Sequence, residues 1–152
     1  MDGTAGGYRH QRRTRVEECL ELTISMLRAS GSLEHGVWRR ASFVWGDMLT
    51  ARFELNISGA DNGAIWLDYV VGGQRTHQCI SLIASTPHLG GLRWWFLCPL
   101  TDERVSTLYL PPGELAFASR LAYGLTYRSC QESRTRSLLP WQLMSRRRRA
   151  SA

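Results

Sequence analysis

The sequence predicts an α+β fold, with an N-terminal helix packed on an antiparallel β-meander. Three observations predict it. The tetrad Thr14-Arg-Val-Glu17 matches a capping box and stands at the head of an apolar stripe with helical spacing. From Val37 to Ala84 the apolar residues recur with period two instead. Glycine-bearing turns, GADNG at 59–63 and VGGQ at 71–74, divide that run into pieces of strand length.

Taken in order, residues 1–13 are rich in glycine and arginine and read as a flexible basic arm. The helix is expected from Thr14, with Val16, Cys19, Leu20, Ile24 and Leu27 on its buried face and Gly31 as its stop. Val37 to Trp45 reads as a first strand. Leu49, Ala51, Phe53, Leu55 and Ile57 then alternate with polar partners as a half-buried second. Ile65 to Val71 and Thr76 to Ala84 complete a meander of about four strands, so that 14–85 forms one unit.

STPHLGG at 85–91 interrupts the pattern. Shorter strands are expected at Arg93–Cys98, Val105–Leu110 and Leu115–Ser119, as a second small sheet or an extension of the first. A helical tail is expected from about Ser129, and 134–152 is a basic C-terminal tail ending SRRRRASA.

The totals exclude several classes. A content of 43% hydrophobic and 21% charged residues is that of a folded domain, and 152 residues suffice for a core. No apolar run reaches the roughly 18–20 residues of a membrane span, and the first residues hold no apolar signal core. A cytoplasmic protein without membrane association is expected. All 19 basic residues are arginine, and the net charge is +6. Whether codon usage or function sets that bias, arginine brings a planar fork that grips phosphate or carboxylate at two points. The four cysteines, Cys19, Cys79, Cys98 and Cys130, are dispersed with no close pair, as expected of reduced thiols.

FLCPLTDERVSTLYL, 96–110, has the layout of half a zinc ribbon, with threonine where the second cysteine would stand. Together with GGLRWWFLCP and FASRLAYGLTYRSCQES, it resembles a family of small uncharacterised bacterial and phage proteins with a C-terminal zinc ribbon. In those relatives GGRRxWFxCP runs into CGRRV-x-x-LY, and FxCRHCYxLxYxSQRE closes the site. The likeness covers 86–133 well and the N-terminal part loosely. It implies that the four ligand positions are Cys98, Thr101, Ser119 and Ala122. Their spacing is kept, with 17 residues between Thr101 and Ser119, inside the window of about 15–20 for a zinc site. The donors are not kept. One thiolate, two hydroxyls and a methyl group do not make a tetrahedral zinc site, and His88, Cys79 and Cys130 lack knuckle spacing to Cys98. The expectation is a degenerate, metal-free ribbon-like hairpin pair, with no metal and no cofactor, held by apolar contacts from Trp94, Trp95, Phe96, Leu100 and Leu121.

No nucleophile–base pair, shared carboxylate pair or phosphate loop stands out, so no catalytic residue is expected and the protein reads as a non-enzyme. The leading expectation is a nucleic-acid-associated accessory protein of a phage or mobile element. It would meet DNA or RNA phosphates through Arg9, Arg12, Arg13 and Arg15 at one end and Arg134, Arg136, Arg146, Arg147, Arg148 and Arg149 at the other. The alternative is a protein-interaction module that binds and modulates a host or defence complex. Solubility is the competing role for the arginine tails. Trp38, Trp45, Trp94 and Trp95 read as core, whereas Trp66 is expected to face outward beside Asp68.

Overall fold

The computed structural model describes residues 12–31 and 33–129. Its elements are β1 (Leu20–Thr23), α1 (Ile24–Ser30), β2 (Trp38–Trp45), β3 (Leu49–Asn56), β4 (Asn62–Val71), β5 (Gln74–Ser85), β6 (Arg93–Leu97), β7 (Arg104–Val105) and β8 (Thr107–Leu110). Strands β2 to β7 form one antiparallel sheet in sequence order, and β1 pairs with β8 in a second. The architecture is therefore antiparallel sheet with one short helix. No helix among the described residues is long and apolar enough to cross a membrane.

The period-two reading places the meander strands closely. Hairpin β4–β5 closes on Val71 opposite Gln74, leaving Gly72 and Gly73 as a two-residue loop. Both glycines have positive φ, 57° and 76°, as a type I′ hairpin requires. The inward set Phe53, Leu55, Ile65, Leu67, Tyr69, Ile80 and Leu82 is buried. The shorter strands extend this sheet: Leu82 pairs with Phe96, and Phe96 with Val105. The segment expected as one strand from Val105 to Leu110 divides at Ser106, whose carbonyl accepts the Ile24 amide at 3.0 Å.

The helix expected from Thr14 is corrected. Val16–Glu18 is a single 3-10 turn, β1 follows, and α1 has only seven residues. The supposed first turn is committed elsewhere. The Thr14 carbonyl accepts from the Thr126 amide, and the Val16 amide donates to the Thr126 carbonyl at 2.9 Å. Glu17, which would have closed the capping box, takes the Arg128 amide instead. Leu20-Glu21-Leu22-Thr23 also has period two, and pairing with β8 buries Leu22. The helix is capped by Thr23, whose Oγ1 accepts the Met26 amide at 3.1 Å. Gly31 ends it, as expected. The helix lies against β1 and against β6 of the large sheet.

Leu115–Ser119 is not a strand; only Ala118 bridges, to Tyr109. Side chains from the sheet hold this segment. The Gln78 amide donates to the Phe117 carbonyl at 2.7 Å and accepts from the Phe117 amide at 2.9 Å, replacing a ladder pair. Tyr69 donates to the Leu115 carbonyl at 2.6 Å. Phe117 is thereby fixed in the core, with its ring against Tyr69 and Trp45. The core runs from Leu22 and Leu27 through the inner sheet face to Phe96, Cys98 and Phe117. The tail helix expected from about Ser129 and the tail 134–152 lie outside the described residues.

Candidate functional site

The four positions at ligand spacing are brought together. Pro99 to Thr101 turn the chain after β6, and 119–122 form a second turn facing the first. In each, the amide four residues on returns to the first carbonyl: Asp102 to Cys98 at 2.9 Å, and Tyr123 to Ser119 at 3.3 Å. Asp102 takes a positive φ of 56° to close the first turn. The Ser119 amide donates to Cys98 Sγ at 3.3 Å, and Ser119 Oγ accepts the Ala122 amide at 3.1 Å.

Cys98 is fully buried. Burial pushes its thiol pKa up, but hydrogen bonds from the Ser119 and Thr101 hydroxyls and the Ser119 and Leu100 amides outweigh that and bring it down to about 7. The site thus favours a thiolate, and Cys98 is the one strong metal donor among its four positions. Ala122 has no donor, and no group of three or more His, Cys, Asp or Glu side chains among the described residues is placed to hold an ion. Leu100 and Leu121, expected as packing, are 63% and 62% exposed, because they occupy the outward tips of the two turns. The thiol lies instead in a core with Phe96, Phe117 and Ala118, against which Ala122 and Tyr123 pack.

Of the arginines expected to meet phosphate, Arg12 pairs with Glu18 at 2.8 Å, both well exposed. Arg15 bridges Thr126 through its backbone, and Arg13 precedes it in the same segment. Arg9, Arg134, Arg136 and Arg146 to Arg149 lie outside the described residues.

The outer face of the large sheet shows what the sequence reading missed. Across β2 to β5, one row reads Arg40, Glu54, Trp66, Cys79, and the next Ser42, Arg52, Asp68, His77. Trp66 faces outward, as expected, at 44% exposed. Trp38 is corrected from core to surface at 57% exposed, because Phe43 occupies the inward phase of β2 and Trp38, with Arg40, the outward one. Extending the alternation of β3 back into β2 would have found it.

Glu54 orders one part of this face, accepting Trp38 Nε1 at 2.8 Å and Arg40 Nε at 3.2 Å, with the Arg40 guanidinium 4.6 Å above the Trp38 ring. The Trp38 hydrogen bond, then Arg40, lowers the Glu54 pKa. Arg75 grips Asp68 at two points, 3.1 and 2.8 Å, which holds the Asp68 carboxyl below its usual range, and His77 Nδ1 stands 3.4 Å from the same group. Between these clusters lies an open hollow of about 610 Å³, lined by Arg40, Arg52, Trp66 and His77 among others. Farther along the face Arg93 stacks 4.1 Å over Trp95, which donates to Ser85.

No protein-family model, curated protein or solved structure matches this chain.

Proposed function

We propose that this protein is a non-enzymatic, cytoplasmic nucleic-acid-associated accessory factor that binds phosphate through arginine. The observation that carries this reading is the outer sheet face, where Arg40, Arg52 and Arg75 are exposed around Trp38 and Trp66, Arg93 is exposed farther along, and among the described residues only two carboxylates, Glu54 and Asp68, form salt bridges with them. Arg12, Arg13 and Arg15 and the C-terminal arginines add to the same sequence-independent attraction. Segment 86–129 supports this as a scaffold. It holds two facing turns around Cys98, which supports the resemblance to small bacterial and phage zinc-ribbon proteins.

Titration of DNA and RNA binding against salt tests the reading. Affinity should fall steeply with rising salt, and changing Arg146 to Arg149 together to serine should weaken all sequences alike. No binding at low salt, or binding indifferent to salt, refutes it.

A second reading, a module that binds and modulates a partner protein complex, is favoured by Val44, Met48 and Val70. These are 64%, 76% and 58% exposed toward the turn end of the β2–β3 hairpin. Salt-insensitive capture of a protein partner, without nucleic acid, would establish it instead.

A further inference from the structure

We propose that the outer face of β2 to β5 is a stacking platform for unpaired nucleobases, so that the ligand is a single strand and not a duplex. This deepens the arginine–phosphate reading above and rests on it.

The first argument is shape. Four strands at a spacing of about 4.8 Å present a surface some 14 Å across before side chains are added. The major groove, about 12 Å wide, admits a helix or a two-stranded ribbon, and the minor groove is narrower still. A duplex laid on this face would touch it by its backbone alone. An unpaired strand can lower its bases into the hollow.

The second argument is chemistry. Trp66 borders the hollow with a large part of its ring in solvent, and Arg52 and Arg40 stand in adjacent rows. That is an aromatic plane for a base with two forks for phosphates on its β2–β3 side. Arg52 is exposed and faces Asp68, but that carboxyl is gripped by Arg75, so among the described residues the Arg52 fork forms no salt bridge of its own. Trp38 lies two strands and two residues along from Trp66, about 12 Å away in a regular sheet. That is several times the 3.4 Å rise of stacked bases, so the two rings serve different nucleotides. Glu54 pre-sets Trp38 and Arg40, so little side-chain freedom is lost on binding. Aromatic faces and guanidinium forks read neither sugar nor sequence, so DNA and RNA single strands should both bind.

The test is fluorescence anisotropy of the full chain with random-sequence single-stranded DNA, single-stranded RNA and a duplex of equal length. Intrinsic tryptophan quenching is followed in the same titrations. Single strands of both kinds should bind at least tenfold tighter than duplex and quench fluorescence. Trp66→Leu, which suits a strand but offers no π face, should weaken single-strand binding about 5- to 100-fold. Trp66→Phe should recover part of it, and duplex binding should not change. Both positions are exposed, and thermal melts of the variants check folding. Equal affinity for single strand and duplex, or a single-strand preference untouched by Trp66→Leu and Trp38→Leu, overturns the platform while leaving the arginine reading intact. No binding to any nucleic acid overturns both.

Discussion

The backbone amide of Ser119 donates to the sulfur of Cys98 across 21 positions of sequence, at 3.3 Å. That amide favours the thiolate form of Cys98. Thr101 and Ser119 direct hydroxyls at the same sulfur. Hydrogen bonds and burial thus tie the two turns together.

If the facing turns retain a ribbon frame, restoring the ligands should restore metal. The triple variant Thr101→Cys, Ser119→Cys, Ala122→Cys is expected to take up one zinc per chain and to melt at higher temperature when loaded. Cobalt substitution should give the absorption of a tetrahedral thiolate site. A folded triple variant that binds neither ion would show that the turns do not converge as ribbon knuckles.

The depressed pKa of Cys98 makes stability depend on pH in a definite direction. In the folded chain the thiol titrates near 7; unfolded, near 9. Between those values the unfolded chain binds more protons, so stability rises with pH and is lost again as pH falls through 7. At ~1.4 kcal/mol per pH unit the gain is at most roughly 2 to 3 kcal/mol. Cys19 acts oppositely, since burial first and then Glu18, Glu21 and Glu17 push it up to about 11, but only above pH 9. Denaturant melts from pH 7 to 9 should therefore climb for the native chain and flatten for Cys98→Ala.

Gln78 carries more than its surface-like chemistry suggests. Among the described residues it is the one polar side chain that pairs with both the amide and the carbonyl of buried Phe117. Gln78→Leu leaves both backbone groups without partners, at about 1 to 3 kcal/mol for each buried unsatisfied group. A loss of roughly 2 to 6 kcal/mol is expected by urea denaturation. Tyr69→Phe, which removes the hydroxyl shared between the Leu115 carbonyl at 2.6 Å and Gln78 Oε1 at 3.3 Å, should cost about 1 kcal/mol.

The meander was legible in the sequence because its signals are local. Alternation sets the faces of β3 and β4, and Gly72-Gly73 sets the hairpin. The N-terminal segment was misread because its signals point both ways. Val16, Cys19 and Leu20 satisfy a helical stripe, while Leu20 and Leu22 satisfy a strand. The tie is broken by β8, nearly ninety positions away, and by Thr126. The turn pair around Cys98 was visible as spacing, since the same residue intervals recur in the resembling family. The sheet-face arginines were not. Arg40, Arg52 and Arg75 lie on three different strands and become neighbours only through register, and Arg93 joins the same face farther along.

That register gives the last prediction its form. Arg75 is engaged by Asp68 and Arg40 by Glu54, whereas Arg52 forms no ion pair among the described residues and faces the hollow. If phosphate binds this face, Arg52→Ser should flatten the dependence of log affinity on log salt by about one, with similar loss for all sequences. Glu54→Gln should act the other way. It removes a negative charge and releases Arg40 while keeping an acceptor for Trp38, so affinity at low salt should rise by a few-fold, with the gain fading as salt screens it. The two variants differ in sign only if the ligand is anionic and seated over β2 and β3. A ligand held by the terminal arms alone would feel neither change, and a protein partner gripping the acidic groups would reverse both.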